Sequence, residues 1–287
     1  MTDFTLSELL QKSYQSLGQA NYSKATGGTT TTIVDTTQAS AWTNNQWKNG
    51  AAFIVRDAGG ANAAPELEFN RISAYDNATT TFTVDTAFTS APASGDTYMF
   101  VDSTFPLRLM IELANSGLRS LGMLELTDIT TITAAAEQTE YTGAVAWKRS
   151  RPFRVEKARD TDTNDYNWKD IMDWDFETDA AGSTPTIIFK EQFDTSATTV
   201  KVWYRDLHPL LTAYNSKVRE EVHPEVAVAA TVAKAVEWYV GANSGQDDFW
   251  NQRLSDARRE LERAKMEHKQ PMETLRGKTI NLNFARP

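Results

Sequence analysis

The residues Lys24–Gln38 read KATGGTTTTIVDTTQ, two glycines followed by four threonines. A phosphate loop needs G-x-x-x-x-G-K-[ST] spacing, with the lysine reaching the phosphate. No such lysine follows Gly28. Threonine is β-branched and favours a pleated backbone, so the stretch reads as turn and strand. Gly27-Gly28 is then the exit from a first helix, and Thr29–Asp35 the first strand of a β region. A second candidate, DTDTNDYNWKDI, sets oxygen ligands at Asp160, Asp162 and Asn164 as a calcium loop does. The position that needs a glycine turn is Asp165, and the one that needs a bidentate glutamate is Ile171. A solvated hairpin loop fits better. The three histidines, His208, His223 and His268, form no HxH or HxxxH pair. His208 and His223 both precede proline, and His223 is placed to cap the helix that follows. The absence of cysteine removes disulfides, thiolate metal sites and cysteine nucleophiles. No nucleophile–base–acid set stands out, so no catalytic, metal or cofactor site is expected and the chain does not read as an enzyme.

Charge and aromatic patterns carry more. KRSRPFRVEKAR holds Lys148, Arg149, Arg151, Arg154, Lys157 and Arg159. Asp160, Asp162, Asp165, Asp170, Asp173, Asp175, Glu177 and Asp179 follow. One reading is neighbouring strands with paired surface charges, each pair worth about 0–1 kcal/mol. Another is a subunit interface, the basic face of one copy (Arg151, Arg154) meeting the acidic face of the next (Asp173, Asp175). Nucleic-acid binding is a third, weakened by the net charge of −9. Trp42, Trp47, Trp147, Trp168, Trp174 and Trp203 lie in or near β regions. Exposed, they would stack on sugar rings; buried, they anchor cores or interfaces.

The elements that must position these residues alternate in type. The 287 residues suggest about two domains, with enough apolar residues (40 %) for packed cores. No secretory signal is visible at the start, and PEVAVAATVAKAVEWYVG is too short and too charged to span a bilayer readily. Helical spacing predicts helices over 5–17, 105–121, 224–241 and 246–268, with a short one at NSKVREEVH. Gly117 sits mid-helix at a cost of roughly 1 kcal/mol, which points to close packing there. Val226, Ala230 and Ala233 belong to a helix that is apolar almost all round, either central in a bundle or pressed on a neighbouring subunit. Leu254 and Leu261 mark a coiled-coil-like seam on the next helix. Strands are expected near 29–35, 51–56, 66–74, 80–86 and 97–102. A second set is expected near 127–134, 138–142, 152–158, 167–176, 185–190 and 198–204. The fold class is α+β: a discontinuous helical-bundle base with two inserted antiparallel β modules of small-barrel or sandwich type. The base comprises 1–21, 104–122 and 213–269. The β modules are 22–103 and 123–212, and 270–287 is an extended tail.

This organisation resembles the head–tail connector (adaptor, or neck) proteins of tailed bacteriophages. TLSELLQKSYQSLG, PLRLMIELANSGLRSLGM, HPEVAVAATVAKAVEWYVG and WNQRLSDARRELERAKMEH carry the resemblance, which covers the helical frame, under a third of the chain. The two β insertions depart from purely helical adaptors. The resemblance implies a structural virion protein forming a ring, commonly of twelve copies, at the neck between capsid and tail, after assembly in the host cytoplasm. It implies portal binding by the tail, residues 272–287. There Arg276, Lys278 and Arg286 supply basic character, and Ile280, Leu282 and Phe284 alternate as an added strand would. Val226, Ala230, Ala233, Leu254 and Leu261 would make subunit contacts. A downstream tail or nozzle protein would dock below, and DNA would pass an acidic lumen without specific binding. No membrane and no cofactor is implied. The rival readings are another phage tail or baseplate protein, and a glycan-binding module using the β-region tryptophans.

Overall fold

Thr5-Leu6-Ser7-Glu8 forms a capping box in the computed structural model. The Glu8 N–H donates to Thr5 Oγ1 (3.3 Å) and the Thr5 N–H to Glu8 Oε2 (2.8 Å). The box starts α1 (Leu6–Ser16), which buries Leu6, Leu9, Leu10 and Tyr14. The structure describes residues 3–38, 42–60, 63–135, 137–158, 168–178, 184–190, 192–193, 198–243 and 247–268. Among them are four α-helices and three antiparallel sheets, none closed into a barrel, so the chain is a mixed α+β protein.

The other helices are α2 (Leu107–Arg119), α3 (Pro224–Ala242) and α4 (Asp248–Glu267). α3 touches all three others, which is why it is apolar almost all round. Its N-cap is His223, as expected from the sequence. α2 crosses α3 at Gly117, where an added Cβ would lie 2.9 Å from the Ala230 carbonyl carbon and oxygen. The mid-helix glycine is therefore required by the crossing. α4 lays Trp250, Leu254, Leu261 and Ala264 on the core and leaves its charged faces outward.

Short hydrogen bonds join segments far apart in sequence. Leu6 and Ser7 N–H donate to the Ser216 and Tyr214 carbonyls (2.8 and 3.1 Å), and Val218 N–H to that of Phe4 (2.8 Å). NSKVREEVH is consequently not the short helix expected: it is turns and a bridge from Lys217 to Thr5. Its backbone groups are committed to the N-terminal segment instead. The buried Asn115 side chain donates to the Leu211 carbonyl (2.9 Å) and accepts the Leu211 N–H (2.7 Å), pinning that segment to α2.

The first β region has β1 (Asn21–Lys24), β2 (Gly27–Thr29), β3 (Thr32–Val34), β4 (Ala51–Arg56), β5 (Phe69–Asp76), β6 (Thr81–Val84) and β7 (Thr97–Val101). They form one seven-stranded sheet in the order β1-β7-β4-β5-β6-β3-β2. The edge strands β1 and β2 are consecutive in the chain, joined by Ala25-Thr26, so the sheet curls until its edges meet without a ladder between them. GGTTTT is a β2–β3 hairpin turning at Thr30-Thr31, rather than a glycine turn followed by one strand. Gly28 is within it because an added Cβ would lie 2.3 Å from the Thr32 carbonyl oxygen. β4 and β7 are apolar on both faces: Ala51, Phe53, Met99 and Val101 join the helical core, while Ala52, Ile54, Tyr98 and Phe100 fill the curled sheet.

The second β region has β8 (Leu124–Asp128), β9 (Thr133–Ala134), β10 (Glu140–Thr142), β11 (Arg154–Ala158), β12 (Trp168–Asp170), β13 (Trp174–Glu177), β14 (Thr186–Phe189) and β15 (Thr198–Asp206). It forms a five-stranded sheet (β12-β11-β15-β8, with β9 on β15) and a three-stranded one (β10-β14-β13). Two expected strands are split. Asp128 accepts the Thr130 and Thr131 N–H groups (2.9 and 3.0 Å), which turns the chain between β8 and β9. Residues 171–173 carry it from one sheet to the other between β12 and β13. Inward residues Val155, Ile187, Phe189, Val200 and Val202 belong to the same core as the helices.

Candidate functional site

The outer face of the five-stranded sheet brings together Arg154 and Asp170 from the two charge blocks, beside Trp168 and Trp203. Alternation along β15 turns Val200, Val202 and Tyr204 inward and Lys201, Trp203 and Arg205 outward. Register then sets Glu156 opposite Lys201 and Asp170, and Arg154 opposite Trp203. Glu156 is only 5 % exposed. It accepts from Trp203 Nε1 (2.6 Å), and Arg154 Nη2 and Lys201 Nζ lie at 2.9 and 3.7 Å. Lys201 Nζ sits 4.4 Å from the Trp203 ring centroid and 5.2 Å from that of Trp168, and Arg154 covers Trp203 at 5.6 Å. Arg154 also donates to Asp170 (2.7 Å). Such a face can meet a partner through cations and ring edges, but its tryptophan faces already stack on cations of their own chain.

One pair between the basic and acidic blocks, Arg154–Asp170, is made within the chain. Arg154 is paired with Glu156 and Asp170, Arg151 lies over the Phe176 ring (5.9 Å), and Asp175 faces Lys190 (3.9 Å). The Asp173 carbonyl accepts the Lys190 N–H (3.1 Å). Val226, Ala230 and Ala233 are buried against the chain's own helices, so a single subunit does not present them. Leu254 and Leu261 are half-buried on the same core. Trp47 and Trp147 are interior, and Trp42 packs edge-on against Trp47 (5.1 Å) and Phe100 (5.2 Å). Those three are core anchors. The tail residues Arg276, Lys278, Ile280, Leu282, Phe284 and Arg286, and the calcium-like positions Asp160–Asp165, lie outside the described residues.

Beside α2 an open groove of about 580 Å³ runs between Leu107, Ile111 and Asn115 on one side and Leu210 and Leu211 on the other. Arg71, Arg108 and Arg119 rim it. Leu210 is 61 % exposed, so the groove offers apolar surface to solvent.

One constellation has no precursor in the sequence reading. His223, at the start of α3, and His268, at the end of α4, stack with centroids 3.5 Å apart and planes 10° apart. His268 Nε2 lies 2.8 Å from Glu225 Oε2. The hydrogen bond from His268 holds the Glu225 carboxyl below its ordinary value. His223 Nδ1 accepts the Glu225 N–H (3.3 Å). Motif spacing misses this cluster, because the pairing is made by the antiparallel return of α4 along α3. The readable signal was position: one histidine precedes the first residue of a helix hairpin and the other follows its last.

The chain was compared with protein families and with curated proteins: no family model matches it, and no curated sequence does. No helix among the described residues is long and apolar enough to cross a membrane.

Proposed function

We propose that the chain is a structural virion protein of the head–tail connector class, built as a discontinuous helical base carrying two β insertions. The observation that supports this reading most directly is the assembly of the base. α1, α2 and the α3–α4 pair are separated in the chain by the two β regions, yet share one core and are sewn together through Phe4–Ser7, Asn115 and Tyr214–Val218. A base closed in this way can hold inserted modules outward while copies pack side by side into a ring. In this reading the β modules face neighbouring copies or the next tail component, residues 272–287 engage the portal, and DNA passes through without specific binding.

Two measurements test it. Imaging of the assembled particle with this chain labelled should place the label in the neck, between capsid and tail; a label elsewhere on the particle overturns the reading. The full chain should co-sediment with the portal ring, and a chain lacking 272–287 should not. Unchanged co-sedimentation of the truncated chain removes the tail from the proposal.

A further inference from the structure

The geometry points to a divalent transition-metal site of the zinc class at His223, Glu225 and His268, closing the open end of the α3–α4 hairpin. Each residue offers one ligand atom, and the three atoms lie within 4.8 Å of one another. Two imidazoles and a carboxylate suit zinc and its first-row neighbours, and they do not suit calcium or magnesium, which take oxygen ligands. His268 Nε2 and Glu225 Oε2 are 2.8 Å apart and must open to roughly 3.3 Å to take tetrahedral zinc bonds of about 2.0 Å each. The stacked rings must turn so that their lone pairs converge, at helix ends where the Glu225 side chain is 68 % exposed and that of His268 27 %. His223 would release its long cap bond, 3.3 Å from the Glu225 N–H, and its stack on His268. Both imidazoles bind neutral, each ring proton on the nitrogen facing away from the metal, and the carboxylate binds ionised. Solvent completes the coordination.

The placement makes this a structural clamp. α3 and α4 are joined at one end by residues 243–247; a metal would join them at the other, through partners 43 residues apart (Glu225 and His268). It would fix the last turn of α4, where residues 269–287 begin. The remaining histidine is an internal control. His208 is buried, its Nδ1 donating to the Pro209 carbonyl (2.7 Å) and its Nε2 accepting the Arg219 N–H (3.0 Å), so no ring nitrogen is left for a metal.

The test uses the full chain, stripped with chelator and titrated with zinc chloride by calorimetry, with magnesium chloride as the control. Cobalt(II) is added separately, and its visible d–d absorption reports ligation. One zinc per chain should bind saturably, raise the melting temperature and be reversed by chelator, while magnesium does nothing. His268→Ala and His223→Asn should each abolish saturable binding and the cobalt spectrum while melting near the wild-type temperature without metal. Asparagine at 223 keeps a helix cap, so loss of binding there is not loss of α3. Absence of saturable zinc binding to the wild type, or full binding by both variants, overturns the proposal.

Discussion

The two β regions solve the same problem differently. The first wraps a single seven-stranded sheet around an aromatic cluster of its own, in which Phe82 packs on Tyr75, Tyr98 and Phe100 with centroids 4.8–5.7 Å apart. β4 and β7 give that region's strand residues buried in the helical core, and Phe69 of β5 packs against it. Among the described residues the second shows no separate cluster: both of its sheets turn their apolar residues into the core shared with the helices. Each region also buries at least one carboxylate, and one from each makes the contrast. Asp35 in the first is fully buried and held by hydroxyls, from Ser23, Thr37 and Tyr98. Glu156 in the second is held by two cations and an indole. A region with its own core can be altered without loosening the helices; a region that borrows the core cannot.

The largest effect tests that separation. Phe82→Ala and Phe189→Ala each empty a buried ring and should cost about 3–5 kcal/mol. Their reach should differ. By hydrogen exchange, Phe82→Ala should lose protection in residues 21–101 and leave the helices protected. Phe189→Ala, in the shared core, should lower protection in the helices and the second region together. Equal loss across the chain in both variants would mean that the two cores act as one.

Much of this contrast was legible in the sequence. AAFIVR and TYMFV lack polar alternation because β4 and β7 are covered on both faces, whereas TTVKVWYRD alternates because only one face of β15 is buried. The four helices were readable from their stripes and caps. What failed depended on partners distant in the chain. NSKVREEVH has helical composition, but Phe4 and Leu6 take its backbone groups. The β1 strand lacks an apolar pattern, since Tyr22 is 47 % exposed and the strand is defined by pairing with β7. The histidine cluster does not show in motif spacing for the same reason, being made by the α3–α4 pairing; only the two positions flanking the hairpin hint at it.

The next effect compares the two carboxylates. Glu156→Ala takes one carboxylate from Arg154 and the one facing Lys201, and leaves Trp203 Nε1 without its acceptor. Losing one partner of a fully buried pair costs about 3–5 kcal/mol. Here the Arg154 and Lys201 side chains keep 33 % and 19 % exposure, and Arg154 keeps Asp170, so about 1–3 kcal/mol is expected. Denaturant melts in low and high sodium chloride check the mechanism. Salt screens the cations, so the gap between wild type and Glu156→Ala should narrow. The gap for Asp35→Ala should hold, because its donors are neutral. Equal salt response in both variants would erase the distinction.

The smallest effect is the pH response of the first region. Burial pushes the Asp35 carboxyl up, but the hydrogen bonds from Ser23, Thr37 and Tyr98 outweigh it and hold the carboxyl below its ordinary value. A depressed folded value means that the unfolded chain takes up the proton first. The stabilisation is then complete above the unfolded value, about 3.9, and is lost as pH falls through the folded one. Asp35→Asn keeps the side-chain shape and removes that titration. It also sets an amide N–H₂ among hydroxyl donors, so at neutral pH the variant should melt lower. The difference from wild type should be constant down to about pH 4 and should shrink below it, as the wild-type carboxyl takes up its own proton. Near-UV circular dichroism melts over that range measure it. A difference that stays constant below pH 4 would show that Asp35 does not couple the first region to acid.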